Sequence, residues 1–358
     1  MRKLDQDHYS NTFLVEDLQF SQPNLKYLGA KILSADATKV NGAHELKILS
    51  RLSEGKSDYC EALLPVLRDR FVQESLYGFH YCFLSRPFAI DVNAFRASAP
   101  SGRLSVHLVK PIVVRTLQAL HIKASNLPFS DLGSRQIEKT IAEDPPSYSD
   151  VYTFNGTEYP ILETQPLQSV LSWDASAFYA ETVQVILSGL GAALCADFDE
   201  PNLSGNIGTF ALRAPEVIIR AQCGKEIDIW LLGTYELLTE QTLFRPLAIP
   251  SLTPNESLLL LQFAVTGETL SKDVIDRSRV RDKFFDRKEL CKDDLTEIQI
   301  NAAAKFINDC LRLNPHDRPT VDRLVLHPWL STAFTGDMDD CGSIFTIDEL
   351  SIGGLSVD

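Results

Sequence analysis

A few side chains in this sequence are of types that could do chemistry, provided the fold brings them together. Lys31 lies on an apolar stretch, Y-L-G-A-K-I-L, that reads as a strand. Glu45 follows on H-E-L-K-I-L-S-R-L, where Leu46, Leu49 and Leu52 supply one apolar face of a helix. A strand lysine is ordinarily solvated, but a glutamate on the next helix gives it a partner for its charge. His121 sits in L-Q-A-L-H-I-K-A-S-N-L-P-F, close to Lys123 and Asn126. An imidazole can accept a proton near neutral pH; the ordinary alternative is a helix-end histidine with no chemical role. Asp228 is an acid on Ile227–Leu238, a run that is apolar nearly all the way round a helix and is therefore expected to be buried. Its carboxylate then needs hydrogen-bond partners or carries a desolvation cost.

The elements that must position these groups follow from the pattern. Residues 1–33 read as strands separated by turns, with Phe13-Leu14-Val15 and Tyr27 to Leu33 as their apolar pieces. L-L-P-V-L-R-D-R-F and G-F-H-Y-C-F-L-S-R-P read as two further strands joined to a linker. Gly102 to Leu120 reads as a helix, with Val106, Val109, Val113, Leu117 and Leu120 at helical spacing. Residues 130–180 contain E-D-P-P-S-Y-S-D and a strand pair around N-G-T; the polar, proline-bearing composition predicts an exposed, partly flexible insert. The last residues, 333–358, are acidic and glycine-bearing and read as a loose tail.

Composition narrows the function classes. A chain of 358 residues with 44% hydrophobic and 23% charged residues is an ordinary globular one, long enough for one or two domains. The net charge of -14 argues against a nucleic-acid or anionic-membrane surface and is compatible with basic partners. Seven scattered cysteines without a C-x-x-C pair read as reduced intracellular thiols rather than a disulfide or zinc framework. The start, M-R-K-L-D-Q-D-H-Y, has no secretory apolar region, and no apolar run reaches membrane-spanning length.

The order of motifs then carries a resemblance. Ala214-Pro215-Glu216, followed by Asp228, Trp230 and Gly233, and later by L-R-L-N-P-H-D-R-P with Arg318 and by His327-Pro328-Trp329, resembles the C-lobe of the protein kinases. The resemblance implies an α+β, bilobal kinase fold: an N-lobe at 1–84 of antiparallel sheet plus one helix, truncated at its start, and a mainly helical C-lobe at 85–332. It implies that Lys31 grips nucleotide phosphates and pairs with Glu45, and that Phe83, Leu84 and Ser85 form the hinge whose backbone meets the adenine edge. It also implies a structural ion pair between Glu216 and Arg318.

Three stretches depart from the family. Where its phosphate loop has glycines, this chain has Asp5 and Asp7, whose charge opposes a triphosphate. In the catalytic loop, Lys123 and Asn126 fall on the family's lysine and magnesium-holding asparagine, and His121 falls where its catalytic aspartate stands. In V-Q-V-I-L-S-G-L-G-A-A, Gly189 replaces the metal-chelating aspartate; a rival alignment puts Asp197, in C-A-D-F-D-E, at that place. The insert, the segment Arg281–Leu290 (R-D-K-F-F-D-R-K-E-L) and Leu33–Ala37 (L-S-A-D-A) resemble fungal SR-protein kinases, which phosphorylate serine/arginine-rich splicing factors. The expectation is therefore a kinase-fold protein of that serine/threonine branch with impaired catalysis, acting by binding. The alternative is an active kinase using ATP and Mg2+ on arginine/serine-rich or other basic proteins. Either is expected to be a cytoplasmic or nuclear monomer that binds neither nucleic acid nor membrane.

Overall fold

The computed structural model describes residues 1–18, 26–54, 63–100, 102–120, 133–182, 184–190, 193, 210–221, 223–232, 243–244, 252–280 and 302–331. The N-terminal part is a five-stranded antiparallel sheet of β1 (Arg2–Gln6), β2 (Ser10–Glu16), β3 (Tyr27–Leu33), β4 (Asp69–Ser75) and β5 (Gly78–Ser85). Its spatial order is β1-β2-β3-β5-β4. Side chains alternate across a strand, so one face of β3 carries Gly29 and Lys31, and the other Leu28 and Ala30. The edge strand β4 is exposed along its whole length and carries Asp69, Arg70 and Glu74, charges that discourage further pairing.

After β3 the chain turns through L-S-A-D-A. Ser34 accepts a hydrogen bond from the Ala37 N–H at 3.1 Å and caps the short helix α1 (Ala35–Ala37). The chain continues through a wide turn, Thr38–Gly42, into α2 (Ala43–Glu54). Leu49 of α2 is buried, with Leu46 and Leu52 packed beside it, as the leucine spacing requires.

The helical part is built on α3 (Val92–Ser98) and α4 (Val106–Leu120). Leu108, Val109, Ile112, Val113 and Leu117 of α4 are fully buried, whereas Val106, at its first turn, is exposed. Farther along come α7 (Pro215–Ile218), α8 (Glu226–Trp230), α9 (Pro254–Thr266), α10 (Lys272–Asp276), α11 (Ala302–Cys310) and α12 (Val321–Val325). A second cluster of Val217, Ile218, Trp230, Leu258, Leu259 and Leu313 seals α7, α8 and α9 together. Of the Ile227–Leu238 helix, only the turn through Trp230 lies within a described helix. Among the described residues no helix is long and apolar enough to cross a membrane.

The insert contains α5 (Ser134–Glu143), the hairpin β6 (Tyr148–Phe154) and β7 (Thr157–Leu162), and α6 (Ala177–Glu181). Asn155 and Gly156 both have positive φ at the hairpin turn, the left-handed pair that a tight hairpin needs. The hairpin is exposed, as its composition suggests. The rest of the insert is not a loose appendage. Ile137 of α5 and Leu167 are buried against Leu4 and Leu14 of the sheet, and Ala180 of α6 is buried in the main core with α4. Its polar residues face outward while a few spaced apolar ones face the sheet.

Candidate functional site

A cleft of about 1020 Å³ opens between the sheet and the helical part. Its walls come from the β1–β2 hairpin (Asp5, Asp7), from β3 (Gly29, Lys31), from α2 (Glu45), from the end of β5 (Phe83 to Ser85) and from Leu187 to Leu190 with Asp228.

Lys31 and Glu45 meet in it. The Lys31 ammonium donates to Glu45 Oε1 at 2.6 Å, with the glutamate side chain only 6% exposed and the lysine 29%. The neighbouring His44 places Nε2 at 2.7 Å from the Ala193 carbonyl, so consecutive residues of α2 touch the sheet and the chain beyond Gly189.

Ala30 and Lys31 are adjacent on β3 and point to opposite faces, so the small residue on the cleft face beside Lys31 is Gly29. A Cβ there would stand 3.2 Å from the Arg86 carbonyl oxygen and 3.4 Å from Pro87 Cα, so the backbone that leaves β5 lies directly against the strand. Leu84 lines the cleft, and its carbonyl accepts the Arg68 N–H at 2.7 Å.

The β1–β2 hairpin beside the cleft is held by Asp7. Asp7 Oδ1 accepts the N–H groups of Tyr9 and Ser10 at 2.6 and 2.5 Å, and Oδ2 accepts the Ser10 hydroxyl at 3.0 Å. A side chain that closes its own turn is an expected use of aspartate. Asp5 accepts the Gln6 N–H at 2.8 Å and remains exposed. Both carboxylates line the cleft.

Gly189 lies on the opposite wall with φ 76°, in the left-handed region. The strand-like segment before it is fixed by a hydrogen bond from the Leu187 N–H to the Leu63 carbonyl at 2.9 Å. Asp228 is partly buried at the floor; burial, with a smaller push from the Glu226 charge, raises its carboxyl to about 6. His121, Lys123, Asn126 and Asp197 lie outside the described residues, as do Arg281–Leu290 and the acidic tail.

Below the cleft, Arg318 donates to Glu216 Oε1 at 2.6 Å and Oε2 at 2.8 Å in a fork that is shut off from solvent. Its remaining donors reach the carbonyls of Glu226 at 2.9 Å and Arg312 at 2.8 Å, and its guanidinium lies over the Trp230 ring at 5.0 Å. Cys223 sits beside this pair, and burial pushes its thiol up to about 12.

Charged phosphates have a fixed cation available in Lys31, but a divalent metal finds no matching donors in the described part of the cleft. Gly189 offers no side chain, and among the described residues no group of three His, Cys, Asp or Glu side chains is close enough to hold a metal ion.

The architecture superposes on a crystal structure of a kinase domain with a TM-score of 0.62, over 92% of this chain and 94% of that one, at 16% identity. Residues 180–330 match the protein kinase domain family. The chain has the protein kinase fold, and its C-terminal part is similar to the protein kinase domain family. Its sequence is similar to fungal protein kinases. It is 23% identical to a serine/threonine protein kinase of Aspergillus fumigatus over 85% of this chain and 78% of that protein. It is 31% identical to the calcium/calmodulin-dependent protein kinase cmkA of Emericella nidulans over 44% of this chain and 31% of that protein. It is 28% identical to the serine/threonine-protein kinase SKY1 of Saccharomyces cerevisiae, over 41% of this chain and 22% of that protein. The chain thus spans about a third of the length of the Emericella kinase and about a fifth of the yeast one.

Proposed function

We propose that this kinase-fold chain belongs to the SR-protein-kinase-like serine/threonine branch and works through its nucleotide cleft as a binding module with impaired phosphoryl transfer. The observation that carries the reading is Gly189, which puts a bare backbone where the superfamily places a metal-chelating carboxylate. Metal, positioning groups and proton acceptor act as a unit in phosphoryl transfer, so the loss of one removes most of the rate. Asp5 and Asp7 on the facing hairpin add negative charge where phosphates would lie. In this reading Lys31 is the phosphate-facing cation, Glu45 orients it, and Leu84 borders the base.

A second reading, an active kinase transferring phosphate from ATP to arginine/serine-rich proteins, is favoured by the intact Lys31–Glu45 pair. In that case His121, Lys123 and Asn126 supply the proton acceptor and metal-side groups, with Asp197 as an alternative ligand. Under either reading the partners are basic proteins, and the chain acts as a cytoplasmic or nuclear monomer. Thermal melting with ATP, with and without Mg2+, separates the two. A ligand that binds only the folded state adds about 2.7 kcal/mol at a hundred times its dissociation constant. An equal shift with and without Mg2+ supports the binding module; a shift that requires Mg2+, with phosphate incorporated into an arginine/serine-rich peptide, establishes the enzyme instead.

A further inference from the structure

The insert reaches both lobes, and it does so beside the cleft. Arg2 is only 3% exposed, and the insert takes up its guanidinium. One terminal nitrogen donates to the Asp144 carboxylate at 2.7 Å, the other to the Asp144 carbonyl, and Nε donates to the Gln165 carbonyl at 2.8 Å. Gln165 returns its N–H to the Lys3 carbonyl at 2.9 Å, and Thr164 pairs with Lys3 in a parallel bridge. On α5, Glu138 takes Lys26 at 2.6 Å. These are N-lobe ties.

Two residues past Gln165 the partner changes. Leu167 forms a parallel bridge with Ala89 and accepts the Ile90 N–H at 2.8 Å. Ala89 and Ile90 lie on the segment that leaves β5 for α3 and belong to the main core with α4. Farther along, His107 Nε2 at the start of α4 is 2.9 Å from the Ala175 carbonyl. Between the two sets of ties, Thr164 and Pro166 line the cleft.

We propose that Thr164–Leu167 is a second interlobe connection, a brace that fixes the spacing between β1 and the Ala89–Ile90 segment and supplies one wall of the cleft. The hinge that follows β5 allows the lobes to rotate, as hinges of a few residues do. The brace opposes that rotation, because opening must break the Leu167–Ile90 bond or the charge-assisted bonds of Arg2. Whatever occupies the cleft meets Thr164 and Pro166 as well as the hinge, so the insert helps to select it. Only this last point rests on the reading of the cleft as a binding site.

Hydrogen exchange on the whole chain, without any ligand, tests the brace separately from nucleotide binding. Asp144→Ala removes the carboxylate that accepts from Arg2 and from the Gln165 side-chain amide, and leaves Arg2 its two backbone carbonyl acceptors. The Gln165 amide is expected to exchange at least tenfold faster, and the Ile90 amide to accelerate with it, while the α4 amides of Val113 and Leu117 keep their wild-type rates. If Gln165 speeds up and Ile90 does not, the two ends are not coupled and the brace is refuted. No change at either amide, or equal acceleration throughout α4, refutes it too. Should Asp144→Ala fail to fold, Asp144→Asn, which keeps the side-chain volume, must produce the same pattern in smaller measure; an Ile90 amide left at the wild-type rate there overturns the proposal.

Discussion

Glu216 and Arg318 are 102 residues apart in the chain and meet in a two-pronged ion pair with both side chains closed to solvent. Such a pair gives little net stability over an apolar substitute, but removing one partner strands a buried charge. Glu216→Ala and Arg318→Ala should each lower the unfolding free energy by about 3–5 kcal/mol. Denaturant unfolding measures this, and a variant with an unchanged midpoint would show that the pair carries no weight. Arg318→Lys should rescue only partly, because an ammonium cannot fill the fork or lie flat on Trp230.

The Lys31–Glu45 pair behaves differently because its lysine is partly exposed. Glu45→Gln keeps a hydrogen-bond acceptor and should cost no more than about 1 kcal/mol. Lys31→Met leaves a nearly buried carboxylate without its partner and should cost about 1–3 kcal/mol. Both should abolish any melting shift produced by ATP. A Lys31→Met protein that still responds fully to ATP would remove Lys31 from the binding site.

Asp228 predicts a pH dependence. Burial raises its folded-state carboxyl to about 6, against about 3.9 in an unfolded chain. Below roughly pH 4 both states hold the proton and no penalty exists. Between about pH 4 and 6 the unfolded chain ionises first, so stability falls as pH rises, by about 2–3 kcal/mol in total. Asp228→Asn should flatten that fall and stabilise the protein at pH 7. A loss of stability at pH 7 instead would mean that the ionised carboxylate accepts hydrogen bonds that an amide cannot replace.

Gly189→Asp asks whether the cleft lacks only one ligand. A non-glycine residue at φ 76° costs roughly 1–2 kcal/mol, so the variant should melt a few degrees lower. In return it should gain a magnesium-dependent stabilisation by ATP, which the binding-module reading denies to the natural chain. Calorimetric titration of ATP with and without Mg2+ reads this directly, and identical isotherms for the two proteins would count against the assignment of position 189.

The sequence was most legible where a pattern is local. Short apolar stretches placed β2, β3 and β5, leucine spacing placed α2, and the A-P-E run with its distant arginine anticipated the Glu216–Arg318 contact. Parity was harder: adjacent Ala30 and Lys31 look like one motif, yet in an extended strand only Gly29 shares the lysine's face. The helix α9 is written plainly in its ends, with Thr253 and Glu256 as reciprocal caps, Pro254 in the first turn and a left-handed Gly267 at its close. Asp7 as a turn-closing side chain was overlooked because its charge drew attention to phosphate instead. The docking of the insert had no local signature at all. Arg2 and Asp144 are 142 residues apart, and nothing in the neighbourhood of either names the other.

The bond from Arg2 to Gln165 spans 163 positions, and this has a consequence for birth on the ribosome. Chain growth at 5–20 residues per second means that the second residue waits roughly ten to thirty seconds for its partner to emerge. During that interval β1 can pair only with β2, and its outer edge is an open template for a foreign strand. Contacts of such long range also form late in folding because loop closure must come first. β1 is therefore among the last strands to be completed, and its edge is where a chaperone would have most to protect.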